Sequence, residues 1–355
     1  MSLPASGMFC VGNPLQLICA REASEAYGIQ ESTLIVRDVS KKRMRHRKQV
    51  ERLLEMQKWD DVIIWPYSRG PVALRLLWSA SFAQNIRKLK NKTDFLFIGG
   101  FGQFGNHVLR SVIDAEKVVL LDEGSSTIDW YYKYLRHGIY VPGVVAHFLY
   151  AKSGKARFAR WLTSLHKAKL EKPFEIFTIF DLAKLAAAVD ISIRRNEFAH
   201  LKASARKYKV DNDSAVFIGS PLSENGELEQ SYELFQINEA VKALGRMGTN
   251  VRYLAHRNES VEKLEKIRNS GVWIEFTEEP IEMHFVKNVS VPEMFLGIGS
   301  TALYSLKTIF PHCRVLFLDP SEGTSQERRM ALEHHITIYR AGGVEVVTSF
   351  GSEFG

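Results

Sequence analysis

Residues 118–127 read VVLLDEGSST, and the reading of that stretch decides the architecture of the chain. A hydrophobic run stops at two adjacent carboxylates and a glycine, and hydroxyl residues then open a helical pattern. Asp122 and Glu123 therefore lie just past the carboxyl end of a buried strand. In an open parallel sheet, ligands bind in the crevice outside such strand ends. Neighbouring carboxylates also disfavour each other's ionisation, so one of the pair can act as a base near neutral pH. The competing structural role is capping, by Asp122 or Glu123, of the helix that begins near Ser125.

The same strand-turn-helix unit recurs upstream. Short β-branched or aromatic runs at 8–12, 33–37, 62–66, 95–99 and 118–121 alternate with helical patterns at 14–27, 44–58, 72–90 and 105–114. Such alternation predicts a parallel sheet covered by helices on both faces. A helical, basic connecting region is expected over 130–210. Strands are then predicted at 215–219, 251–255, 272–276, 294–298 and 314–318, with helices at 231–247, 260–268, 301–310 and 326–335. No internal repeat or low-complexity tract is visible. Charged and turn-forming residues near 208–214 place the break between a domain at 1–210 and a smaller one at 211–355. The fold class is α/β: two doubly wound, Rossmann-like domains facing a central cleft. Two such domains across a cleft resemble the GT-B architecture of glycosyltransferases, a resemblance that implies a nucleotide held by the C-terminal half.

A chain of 355 residues exceeds the size of a single core, in keeping with two domains. Hydrophobic residues at 45% and charged residues at 25% are ordinary for a globular protein, and no apolar run is long enough to cross a bilayer. The apolar start lacks a basic leader and is interrupted at Gly12, Asn13 and Pro14, against an export signal. Cys10, Cys19 and Cys313 show no paired spacing, so a reducing, cytoplasmic setting is expected. The net charge of +7 gathers at 41–48, KKRMRHRK, and at 152–172, with Lys155, Arg157, Arg160, Lys167 and Lys169. Each cluster reads either as a solvated helix face or as an attractor of anionic lipid, polyanionic glycan or nucleic acid. Phe158, Trp161, Leu162 and Leu165 have the spacing of a basic amphipathic helix that would lie on the inner face of a membrane.

Three segments of the second domain place polar residues just after strands. Residues 253–260 read YLAHRNES, 280–283 read PIEM, and 294–302 read MFLGIGSTA. They bring forward His256, Glu282, and the pair Ser300 and Thr301. Hydroxyls and backbone N–H groups at a helix start bind phosphate, and a nearby histidine can donate a proton to a leaving phosphate. Glu282 can accept hydrogen bonds from ribose hydroxyls. Their ordinary structural roles would be a helix N-cap for Ser300, a satisfied strand-end side chain for His256 and a first-turn acid for Glu282.

In this order, Asp122-Glu123-Gly124, His256-Arg257 and Ser300-Thr301 resemble the D/E-D/E-G, HP and S-S/T motifs of the bacterial sialyltransferases, which have a GT-B fold. YLAHRNES resembles most the capsule polysialyltransferase-like branch, where arginine commonly follows the histidine. GNPLQL at 12–17, GGFG at 99–102 and GSPLSE at 219–224 support the match, which runs over roughly residues 8–339. The departures are arginine for the proline of the HP motif and threonine for the second serine of many members.

The resemblance implies an inverting transfer of sialic acid from CMP-sialic acid to a hydroxyl of a capsular or cell-surface glycan. Glu123 would be the general base, supported by Asp122, and His256 would protonate or hydrogen-bond the departing CMP phosphate. Ser300 and Thr301 would hold that phosphate and Glu282 the ribose, with Arg257, Gly219 and Gly299 also on the donor side. Gly12, Asn13, Gly100 and Asn106 would lie on the acceptor side. No metal or other cofactor is implied, and DEGSS lacks the D-x-D spacing of metal-assisted glycosyltransferases.

Two other readings are compatible with the sequence. One is a GT-B transferase of another CMP-activated nonulosonic acid; the other is a non-catalytic nucleotide- or nucleic-acid-binding module, motivated by the positive charge. The transferase reading expects an anionic glycan acceptor and no nucleic acid. A Rossmann dehydrogenase is disfavoured, because GGFGQFGNH at 99–107 does not reproduce G-x-G-x-x-G at the first strand-to-helix turn.

Overall fold

The computed structural model describes residues 5–37, 44–66, 72–163, 165–185, 191–205 and 207–348. The chain divides into two compact units. One comprises Met1–Thr178 and Leu185–Asn196, the other Ile179–Lys184 and Glu197–Gly355.

The first unit is built on a sheet of β1 (Ser6–Val11), β2 (Glu31–Arg37), β3 (Asp61–Trp65), β4 (Lys92–Gly99), β5 (Asp114–Leu121), β6 (Glu175–Thr178) and β7 (Ile193–Arg195). Their order is β3-β2-β1-β4-β5-β6-β7, and every neighbouring pair is parallel. Parallel strands are covered on both faces, so the central ones read as unbroken apolar runs. Residues 8–11, 34–36 and 96–98 are all sealed from solvent. Phe9 and Phe97, register partners on β1 and β4, stack at 4.3 Å.

The region 130–210 departs from the expected helical connection. Helices Ser125–Lys133, Gly143–Tyr150 and Gly154–Thr163 are followed by β6 and β7, which extend the sheet. Those strands have only four and three residues, too few for an alternation pattern to register. The stretch 158–165, expected to be one amphipathic face, is described only in part. The helix ends at Thr163, Trp161 is exposed and Leu165, beyond the helix, is buried; the side chains of Phe158 and Leu162 lie outside the described residues. Two of the basic residues there bind main chain. Arg160 donates to the carbonyls of Phe148, Leu149 and Ala151, and Lys169 to that of Ile113. Of the cluster at 41–48, residues 41–43 and the side chains of 44–46 lie outside the described residues.

The second unit holds β8 (Lys209–Ile218), β9 (Asn250–Leu254), β10 (Trp273–Glu275), β11 (Ser290–Ile298), β12 (Arg314–Leu318) and β13 (Glu345–Val347). All are parallel, in the order β10-β9-β8-β11-β12-β13. Phe217 and Tyr253, register partners on β8 and β9, stack as the aromatic pair of the first sheet does. A boundary at 210/211 would cut β8 near its start; the unit instead takes up the chain at Glu197, ahead of the helix Ala199–Ser204. All three cysteines are free and buried. Among the described residues, no helix is long and apolar enough to cross a membrane.

Candidate active site

In each sheet the strand order reverses at one place, between β1 and β4 and between β8 and β11, and ligands of open α/β sheets bind beyond the carboxyl ends of the strands at such a point. Most of the residues singled out in the sequence fall at strand ends of this kind. Asp122 and Glu123 follow β5, Gly12 and Asn13 follow β1, and Gly100 follows β4. In the second unit Gly219 follows β8, His256 stands two residues past β9, and Gly299, Ser300 and Thr301 follow β11.

The acidic pair divides into two different roles. Asp122 is fully buried; its Oδ1 accepts from the Thr127 hydroxyl at 2.7 Å and its Oδ2 from the Thr178 hydroxyl at 2.8 Å. The Thr127 oxygen in turn accepts from the backbone N–H of Glu123 at 2.8 Å. Gly124, at φ 72°, occupies the N-cap of the helix Ser125–Lys133 and turns the chain, so neither acid caps it. Asp122 is thus a buried brace for the turn, and Glu123 is the partly exposed carboxylate the turn presents. Burial pushes the Glu123 carboxyl above its ordinary value, against the pull of the Arg37 guanidinium; Asp122 contributes least among the causes. Desolvation, more than like-charge pairing, raises the basicity of Glu123.

Arg37 is the residue that sequence reading passed over. It is the last residue of β2, its Nη2 donates to the Gly99 carbonyl at 2.9 Å, and its Nε is buried without a partner. A Cβ on Gly12 would stand 2.6 Å from that guanidinium, and one on Gly100 3.1 Å from Glu123 Oε1. These glycines leave room for the side chains that face the strand ends. The signal available in the sequence was an arginine closing a buried strand, where charge is expensive unless it has work to do.

The other two acceptor-side residues are consumed by structure. Asn13 caps the helix Pro14–Ala26, its Oδ1 accepting from Gln16 N at 2.8 Å, while Gln16 Oε1 reaches back to accept from Gly12 N at 2.7 Å. Asn106 is fully buried; its amide donates to the carbonyls of Gly99 and Gly100, and its oxygen accepts from the Cys10 thiol. Both hold the loops in place, so an acceptor-side role for them would be indirect.

In the second unit, the His256 turn shows its chemistry in one hydrogen bond. Asn258 N donates to His256 Nδ1 at 3.2 Å, which requires a lone pair there and leaves the proton on Nε2. Burial, reinforced by the nearby cations of Arg257 and Lys263, lowers this imidazole to about 3. It is therefore neutral near pH 7, a hydrogen-bond donor through Nε2 and not a pre-charged acid.

Thr301, in helical geometry, takes the N-cap position of the helix Ala302–Ile309 without a side-chain capping bond. Ser300 is not the cap, and its hydroxyl is not spent on the helix. Gly299, at φ 64°, makes the turn that delivers both residues, and Leu222 fills the space where its Cβ would be. Glu282 opens the helix Ile281–Lys287 but is 7% exposed. Burial raises its carboxyl, with Arg257 opposing, and only an edge of it faces solvent. Among the described residues, no group of three or more His, Cys, Asp or Glu converges as metal ligands would.

No protein-family model and no curated sequence matches the chain; solved structures do. A Listeria monocytogenes protein assigned as a UDP-N-acetylglucosamine 2-epimerase aligns over 99% of this chain and 94% of its own, at 14% identity and a TM-score of 0.55. An α/β-galactoside α-2,3-sialyltransferase from the luminous marine bacterium Photobacterium phosphoreum aligns over 97% and 99%, at 11% identity and 0.52. Another UDP-N-acetylglucosamine 2-epimerase aligns over 93% and 81%, at 14% identity and 0.51. The fold is that of the GT-B glycosyltransferases. At these identities the likeness reaches the fold and stops there.

Proposed function

We propose that the protein is an inverting, metal-independent sialyltransferase that moves sialic acid from CMP-sialic acid to a hydroxyl of an anionic glycan. The observation that carries the reading is the His256 turn: a neutral imidazole at the carboxyl end of β9, its Nδ1 already occupied and its Nε2–H left to donate. Such a donor suits a phosphate that gains charge as it departs, since a fixed N–H stabilises the transition state more than the bound donor. The Ser300 hydroxyl, Thr301 and the start of the helix Ala302–Ile309 would receive the same phosphate.

In the reaction, the acceptor oxygen attacks the anomeric carbon while Glu123 takes the hydroxyl proton. The bond from that carbon to the CMP phosphate oxygen breaks, its electron pair leaves with the phosphate, and the anomeric configuration inverts. Glu123 belongs to the first unit and His256 to the second, so the reading requires both to meet one substrate. The order of the three motifs and a GT-B fold shared with a solved sialyltransferase support it.

The test is a thermal-shift comparison of CMP with UMP, GMP and AMP, repeated for His256→Ala, together with acceptor-free hydrolysis of CMP-sialic acid and of other CMP-activated nonulosonic acids. Selective stabilisation by CMP that weakens in the variant is expected, as is hydrolysis that persists in EDTA. Indifference to all four nucleotides would remove the reading. Selectivity for UMP would turn it toward the UDP-sugar chemistry named for the epimerases of the same fold.

A further inference from the structure

Beneath the His256 turn lies an ion cluster that the proposed chemistry leaves unused. Lys263, on the helix Val261–Asn269, is fully buried. Its ammonium meets Glu259 at 2.9 Å, Glu233, the Ser220 carbonyl at 2.8 Å and, more distantly, Glu224 at 3.5 Å. Burial alone would lower Lys263; the carboxylates outweigh it and the net shift is upward, so the lysine stays charged.

Glu259 is the centre of the cluster. Its Oε1 accepts from the Tyr253 hydroxyl at 2.6 Å, and its Oε2 from the backbone N–H of His256 at 2.6 Å. Its own N–H returns to the His256 carbonyl at 3.1 Å, so the turn is closed from both sides. The loop after β8 is fastened to the same group. A Cβ on Gly219 would stand 2.4 Å from Glu259 Oε2, Glu224 accepts from Ser260 N at 2.8 Å, and Glu233 from Ser223 N at 3.2 Å.

Stability does not call for this arrangement. Desolvating buried ions costs as much as their attraction returns, and apolar residues of similar volume commonly do as well or better. What a charged hydrogen-bonded cluster supplies is a single geometry. We infer that Glu259 and Lys263 are positioning residues for His256: Glu259 holds the turn so that Asn258 N–H reaches Nδ1 and Nε2–H is left for the ligand, and Lys263 locks Glu259 while tying residues 219–224 to the same turn. The inference rests on the reading of His256 as a donor to a nucleotide phosphate. Neither residue touches that phosphate.

The decisive measurement is the nitrogen NMR spectrum of the His256 imidazole in the full chain, alongside the Kd for CMP. In the unsubstituted protein a single Nε2–H tautomer is expected at pH 7. In Glu259→Gln, and in the charge-balanced Glu259→Gln/Lys263→Met double variant, mixed tautomers and a roughly tenfold weaker Kd are expected with a cooperative melt retained. Tyr253→Phe removes one hydroxyl and keeps all four charges, so it provides a folded arm if the charge variants do not fold, with a smaller change in the same direction. A folded variant that keeps the pure Nε2–H tautomer and unchanged CMP affinity overturns the inference. Failure of the unsubstituted protein to bind CMP would instead count against the proposed function, and the tautomer would still decide the positioning role.

Discussion

Asp122 and Thr178 are joined across β5 and β6 by a 2.8 Å hydrogen bond inside the first unit, where neither side chain reaches solvent. The carboxylate is therefore part of the frame. Asp122→Ala strands two threonine hydroxyls and releases the Glu123 N–H contact through Thr127, a change expected to cost roughly 3 kcal/mol. Urea unfolding should show a lower midpoint at an unchanged slope.

Glu123→Gln should do the reverse. Under the proposed mechanism transfer should fall roughly 100- to 10,000-fold, while the fold is kept. The sign follows from the raised carboxyl. A raised acid favours the native state at pH below its ordinary value of 4.5 and loses that contribution as pH climbs through the folded value. The glutamine variant should accordingly gain on the unsubstituted protein in melting temperature between pH 4 and pH 8.

Arg37→Met removes the cation that opposes burial at Glu123. The Glu123 carboxyl should rise further, moving the acid limb of kcat/KM to higher pH and lowering activity several-fold on that limb, with recovery on its alkaline side. Gly12→Ala, which places a methyl 2.6 Å from the guanidinium, should displace Arg37 and shift the profile in the same direction.

His256, held at about 3, should impose no titration on kcat between pH 5 and pH 8. Its neutral form stabilises the native state above the ordinary histidine value of 6.5, and that contribution drains away as pH falls toward about 3. His256→Ala should therefore be less sensitive to acid unfolding, and should bind CMP about tenfold more weakly by calorimetry.

The architecture was legible because a parallel sheet writes itself as apolar runs, and residues 8–11, 96–98 and 118–121 are such runs. Strands β6, β7 and β13 were not legible: three or four residues carry no period, and the equally short β10 was legible only because the run 272–276 around it is largely apolar and aromatic. Within the candidate site, Glu123, His256 and Ser300 stand out in the sequence as chemistry-bearing residues beyond strand ends. Asp122, Asn13 and Asn106 stood out for the same reason but are spent on hydrogen bonds that local sequence does not reveal. Arg37 is marked in sequence only as an arginine closing an apolar strand, and Lys263 looks like an ordinary surface cation; their distant partners, Gly99 and Glu233, give them a role.

The segment Ile179–Lys184 belongs to the second unit although chain on both sides of it belongs to the first. Its Phe180 packs on Tyr304 at 4.8 Å. No single cut can therefore yield two intact halves: a clone starting at residue 197 would leave Tyr304 and Tyr339 without that ring, and one ending at 196 would carry it as an orphan. Separate expression of the second unit requires residues 179–184 to be grafted back on; during synthesis the first unit has all its residues once Asn196 emerges, whereas the second must recover a segment already made.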